Sequence, residues 1–141
     1  MADNQTSNPE LQAEWQVLQN QFDSYEKFSL IIKLVAICTF VVFISTQAPL
    51  FLFAITFATL WLQDAIWKTF QARIENRILA IESALVSSVQ IAPFQFNRDF
   101  AARRLGPMGL VLEYCKAAIK PTVAFPHLVI IAAILISEVL F

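Results

Sequence analysis

Three ionisable side chains stand inside strongly apolar stretches of this sequence: Lys33, His127 and Glu138. A charge in hydrocarbon is costly, so such residues are candidates for ion paths, proton relays or interhelical bonds. Lys33 follows Phe28 by little more than a helical turn, and its long stem can snorkel back to the boundary. His127, the single histidine, comes directly after Pro126. With no cysteine or carboxylate at ligand spacing it cannot build a typical zinc site, so it reads as a hydrogen-bond donor between helices or a proton carrier. Glu138 reads as an interfacial acid close to the last residue, Phe141. Lys33 and Glu138 belong to opposite faces of a membrane and are not expected to pair. The chain contains no HExxH, CxxC, GxSxG, Walker or GxGxxG pattern. Its 2 glycines leave no room for a phosphate-cradling loop, and its 2 cysteines, Cys38 and Cys115, read as free thiols. No catalytic residue, metal or cofactor is expected.

The elements that carry these residues follow from composition. The 141 residues are 57% hydrophobic and 15% charged, with mean hydropathy +0.60. A soluble domain is less apolar and more charged. The net charge of −1 argues against a generic polyanion binder. The apolar residues gather into blocks, and three spans are predicted at about 28–45, 48–63 and 121–141. Pro49 falls in the first turn of the second span, where its missing N–H costs nothing, and Pro126 is expected to kink the third. The N-terminus is polar, with Asp3, Glu10, Glu14 and Asp23 ahead of the first base, so it does not read as a secretory signal.

All 10 lysines and arginines lie in 27–33, 68–77 or 98–120. The positive-inside rule puts these segments in the cytoplasm. The expected topology therefore has a cytoplasmic N-terminus, three crossings of a cell inner membrane and a periplasmic C-terminus. Trp61 and Trp67 bracket the expected inner boundary.

Two helical seams flank the first pair of spans. Leu11, Trp15, Leu18, Phe22 and Tyr25 recur at four- and three-residue steps, as do Trp67, Phe70, Ile74, Ile78, Ile81 and Leu85. No Gly or Pro interrupts residues 10–48, so one helix can run from the cytoplasm through the first span. The expectation is an antiparallel helical pair over 10–91, after a flexible 1–9. Trp15, Leu18 and Phe22 would meet Phe70, Ile74, Ile78 and Ile81, within the chain or between subunits. Asp64 and Lys68 form an i,i+4 pair in the favoured order.

Residues 92–120 are expected to be a membrane-surface loop and a short amphipathic helix. Phe94, Phe96 and Phe100 are interleaved with Arg98, Arg103 and Arg104, a combination suited to the headgroups of an anionic inner leaflet. The same interleaving suits single-stranded nucleic acid, but tethering to the membrane on both sides argues against that partner. Leu105, Met108, Leu112, Cys115 and Ile119 repeat the seam spacing, and Gly106 and Gly109 around Pro107 mark the turn before them.

The layout over about 10–90, an amphipathic helix, a two-span hairpin and a second amphipathic helix, resembles that of bacterial two-span effector domains of nucleotide-signalling defence systems. That resemblance implies an oligomeric pore and transfers no residues. The residues themselves predict an all-α integral membrane protein, bacterial and non-enzymatic. It would act as a scaffold or accessory subunit that self-associates or binds a membrane complex through its cytoplasmic helices. The alternative is a membrane pore or channel effector.

Overall fold

A computed structural model describes residues 8–87, 89–103 and 105–140, the last four as backbone only. The regular structure among the described residues is helical: α1 (Pro9–Thr46), α2 (Leu50–Val86), α3 (Phe96–Arg103), α4 (Pro107–Ala118) and α5 (Pro121–Leu140). Of these, α1 and α2 are long and apolar enough to cross a membrane.

Local chemistry sets the ends of α1. The Asn8 side chain accepts a hydrogen bond from the Leu11 amide, and Pro9 occupies the first turn. At the other end Gln47 takes a left-handed conformation, φ 50°, and closes the helix. Pro49 then caps α2, which runs without interruption to Val86. The chain reverses at Gln47, and α1 and α2 pack antiparallel.

Their contact falls into zones. Far from the turn, Leu11, Leu18, Ile74, Ile78 and Ile81 form a buried cluster, flanked by Trp15, Phe22 and Tyr25. Nearer the turn, Ala36, Phe53, Phe57 and Ile130 form a second cluster, which brings in α5. Phe53 stacks on Phe43 at 4.4 Å and on Phe57 at 5.2 Å, so aromatic rings fill the space between helices. Between these zones Ala65, Ala117 and Val123 let α2, α4 and α5 approach closely.

Three features differ from expectation. The stretch around Phe96 and Phe100 is not wholly loop: it forms α3, with Asp99 in its first turn and Arg103 in its last, as the helix dipole favours. Helix α5 continues through Pro126, and a sharp change of direction, 67°, falls at the break between α4 and α5. The α4 seam faces outward. Met108 is 81% exposed and Ile119 74%, whereas Ala117 is buried and Glu113 and Tyr114 are half-buried. An apolar helical stripe can be covered by lipid as readily as by protein, so its periodicity alone does not choose.

Candidate functional site

Lys33 is not a lone snorkelling residue. Its ammonium lies 3.0 Å from the Asp64 carboxylate and donates to the Ser29 hydroxyl at 2.6 Å. Ser29 in turn donates to Asp64. Ser29 and Lys33 are one helical turn apart on α1, and Asp64 faces them from α2 and is wholly buried. Asp64 therefore does not partner Lys68 as expected. The antiparallel register turns it toward α1, and Lys68 bonds Gln71 at 2.7 Å instead. The buried carboxylate gains both an ion pair and a hydroxyl donor from α1.

Next to this cluster lies an open groove of about 510 Å³. It is lined by the charged residues Asp23, Glu26, Lys27, Lys33 and Lys68, together with Ser29, Leu30 and Thr122.

His127 is fully buried. Its ring stacks on Trp61 at 5.4 Å, with nearly parallel planes, and meets Phe57 at 5.2 Å. Nδ1 lies 3.0 Å from the Val123 carbonyl, which can only accept, so Nδ1 carries the proton. The hydrogen bond thus stays within α5 rather than crossing between helices. Nε2 has no hydrogen-bond partner among the described residues. The bond between elements comes from Trp61, whose indole N–H donates to the Ala118 carbonyl at 3.2 Å. Trp67, the second expected boundary aromatic, packs against Tyr25 and Phe28, with ring centroids at 4.8 Å and 5.2 Å.

At the opposite end of the helical pair stands a second charged centre. Arg77 grips both Glu14 oxygens, at 2.9 Å and 3.0 Å, and reaches Asp99 of α3 and the Ala92 carbonyl, each at 2.9 Å. Glu14 also accepts from the Phe94 amide at 2.7 Å. The hydrogen bond to Glu14 raises the Arg77 pKa above its ordinary value, with burial opposing. One ion pair thus fastens α1, α2, the connecting segment and α3. Nearby, Arg73 pairs with Glu113 at 2.8 Å and lies over the rings of Phe70 and Phe100, 4.9 Å and 4.4 Å from their centroids.

The chain matches no family model, no curated protein and no solved structure.

The residues singled out from sequence divide accordingly. Leu18, Ile74, Ile78 and Ile81 are buried together, with Trp15 and Phe22 against them. Trp15 also donates to Glu82 across the pair at 2.9 Å. Phe70, 38% exposed, lies outside that cluster and under Arg73. Phe94, Arg98 and Arg103 are exposed. Phe96 does not join them but is half-buried against the Leu11–Ile81 cluster. Arg104 and the side chain of Glu138 lie outside the described residues.

Sequence reasoning missed Glu14, Arg77 and Asp64 as interior groups. The signal was present: Glu14 is in helical step with Leu11 and Leu18, Arg77 with Ile74 and Ile81, and Asp64 lies about as far from Gln47 as Lys33 does.

Proposed function

We propose that the chain is a non-enzymatic scaffold or accessory subunit of a bacterial inner membrane. In this reading α1, α2 and α5 each cross the membrane, with the N-terminus in the cytoplasm and the C-terminus in the periplasm. The Gln47 turn faces the periplasm, and the outer halves of the seams project into the cytoplasm. The placement of all 10 basic residues supports that orientation.

The observation that carries the scaffold reading is the Lys33–Asp64 pair. Lys33 and Asp64, the ionisable side chains within the apolar parts of the two long helices, pair with each other, so neither is left as a lone charge to line a path. Two hydroxyls within the apolar stretches are also taken up locally. Thr39 donates to Val35 and Thr59 to Ile55, each on its own helix, at 2.8 Å. Ser29, the hydroxyl nearest a lysine, is 1% exposed and gives its proton to Asp64, so a substrate would find neither access nor a free nucleophile.

The outer surface supports a membrane setting. Leu34, Val42, Phe51, Ile55, Leu128 and Leu135 are each at least half exposed. A soluble monomer seldom displays so much apolar surface. At the cytoplasmic boundary the exposed face of α4, with Phe94, Arg98 and Arg103, would meet the anionic inner leaflet. Leu18, Ile74, Ile78 and Ile81 are used within the chain, so partner or self-contacts would draw on surface groups such as Val17 and Leu79, both exposed.

The test is the native mass of the purified protein in mild detergent, together with whatever copurifies. A defined assembly of several copies, or a stoichiometric complex with another membrane protein, is expected. A monodisperse single chain with no partner would overturn the scaffold reading.

A further inference from the structure

The groove beside Lys33 has an ordered distribution of charge. Asp23, the adjacent pair Glu26 and Lys27, Leu30 and Lys33 recur about once per turn along α1 and line the groove from one face. The acids lie toward the N-terminal end of that face, the end assigned to the cytoplasm. Lys33 lies deepest, with Lys68 reaching in from α2 and Thr122 from the start of α5. Directly beyond Lys33 the surface of α1 becomes apolar, with Leu34, Val35 and Ile37 exposed.

A glycerophospholipid of the inner leaflet is ordered in the same way. Its acyl chains are deepest, its phosphate lies at the hydrocarbon boundary, and an amine, where there is one, lies outermost. We propose that this groove is a binding site for one zwitterionic phospholipid carrying a primary amine, a phosphoethanolamine headgroup. The phosphate lies between Lys33 and Lys68, the ammonium against Asp23 and Glu26, and an acyl chain along Leu30 and Leu34.

Charge balance selects the class. The phosphate relieves the mutual repulsion of Lys33 and Lys68, which face one opening. Asp64, already committed to Lys33, cannot neutralise both. A purely anionic headgroup would set its own charge near Asp23 and Glu26, both exposed, whose two negative charges outnumber the single positive charge of Lys27 beside them. A choline headgroup balances charge but has no N–H to donate to the two carboxylates.

This inference rests on the membrane orientation proposed above, and the two fail differently. Wrong orientation shows as misplaced topology reporters. A wrong lipid site shows as correctly inserted protein without lipid selectivity. Full-length protein in mild detergent is titrated with ethanolamine, choline and anionic glycerol phospholipids of identical chains, and bound lipid is counted in native mass spectra. One ethanolamine lipid is expected to bind about tenfold more tightly than either other lipid, a difference of about 1.4 kcal/mol. Lys68→Gln weakens binding of both phosphate-bearing zwitterions. The double variant Asp23→Asn/Glu26→Gln removes the preference for ethanolamine over the anionic lipid. The three substituted side chains lie outside the buried clusters, and unchanged melting temperatures check that the variants fold. Equal or tighter binding of the anionic lipid, unaltered selectivity in both variants, or equal affinity for water-soluble glycerophosphoethanolamine would each overturn the proposal.

Discussion

Arg77 and Glu14 meet through two parallel N–H···O bonds, of 2.9 Å and 3.0 Å, at 8% and 5% exposure. They lie on different helices, and each also holds the segment that leads to α3. A bidentate pair of this kind is a geometric lock as well as an electrostatic one.

Removing one partner leaves the other charge buried. Glu14→Gln or Arg77→Met is expected to cost about 3–5 kcal/mol, and the double variant less than the sum of the two. Thermal unfolding in detergent reads the cycle. Trypsin cleavage after Arg98 and Arg103 should also accelerate, because α3 loses its tie through Asp99. Additive losses with unchanged cleavage would mean that the lock does not form.

The boundary pair predicts a related asymmetry. Lys33→Met strands the buried Asp64 carboxylate, and Asp64→Leu strands the Lys33 ammonium, so each single variant destabilises. Lys33→Met/Asp64→Leu, with two apolar groups, is expected to recover most of the lost stability. Melting temperatures of the three variants decide the matter. A harmless Lys33→Met would return Lys33 to a snorkelling role.

The buried seam offers a further check. Leu18 is 5% exposed and Ile78 6%, within one cluster. Leu18→Asp or Ile78→Asp places an unpaired charge there, at a cost of several kcal/mol. Steady-state accumulation in cells should fall sharply for both. Normal accumulation of both would show that α1 and α2 do not pack at this end.

Topology is tested by reporters at the two ends. A periplasm-active reporter fused after Phe141 should work, and one fused before Met1 should not. The reverse pattern, or equal activity at both ends, would refute the three crossings.

Much of the helical layout was legible in the sequence because it depends on local rules. Asn8 and Pro9 announce the start of α1, the absence of Gly and Pro allows its length, and hydrophobic steps of three and four place Leu18 and Ile78 on inner faces. The charged interior groups were not legible by the same rules. A charge is mostly exposed, so nothing local marks Glu14, Asp64 and Arg77 as interior beyond helical register with buried neighbours. Only the antiparallel pairing of α1 with α2 supplies the opposite charge that makes burial tolerable. The outward turn of the α4 seam has a similar cause. Met108 and Ile119 satisfy an amphipathic pattern whether protein or lipid lies opposite. Phe96 shares its sequence pattern with exposed neighbours, and only the placement of α3 against the Leu11–Ile81 cluster turns it inward.

Ion flux through proteoliposomes tests the central claim most directly, because the scaffold reading rests on the Lys33–Asp64 pair and on hydroxyls, Thr39 and Thr59, that bond their own helices. Purified protein reconstituted at native orientation should give no flux above protein-free vesicles. Reproducible single-channel steps, abolished by substitutions at Thr56 and Thr59, would contradict the scaffold and establish an oligomeric pore.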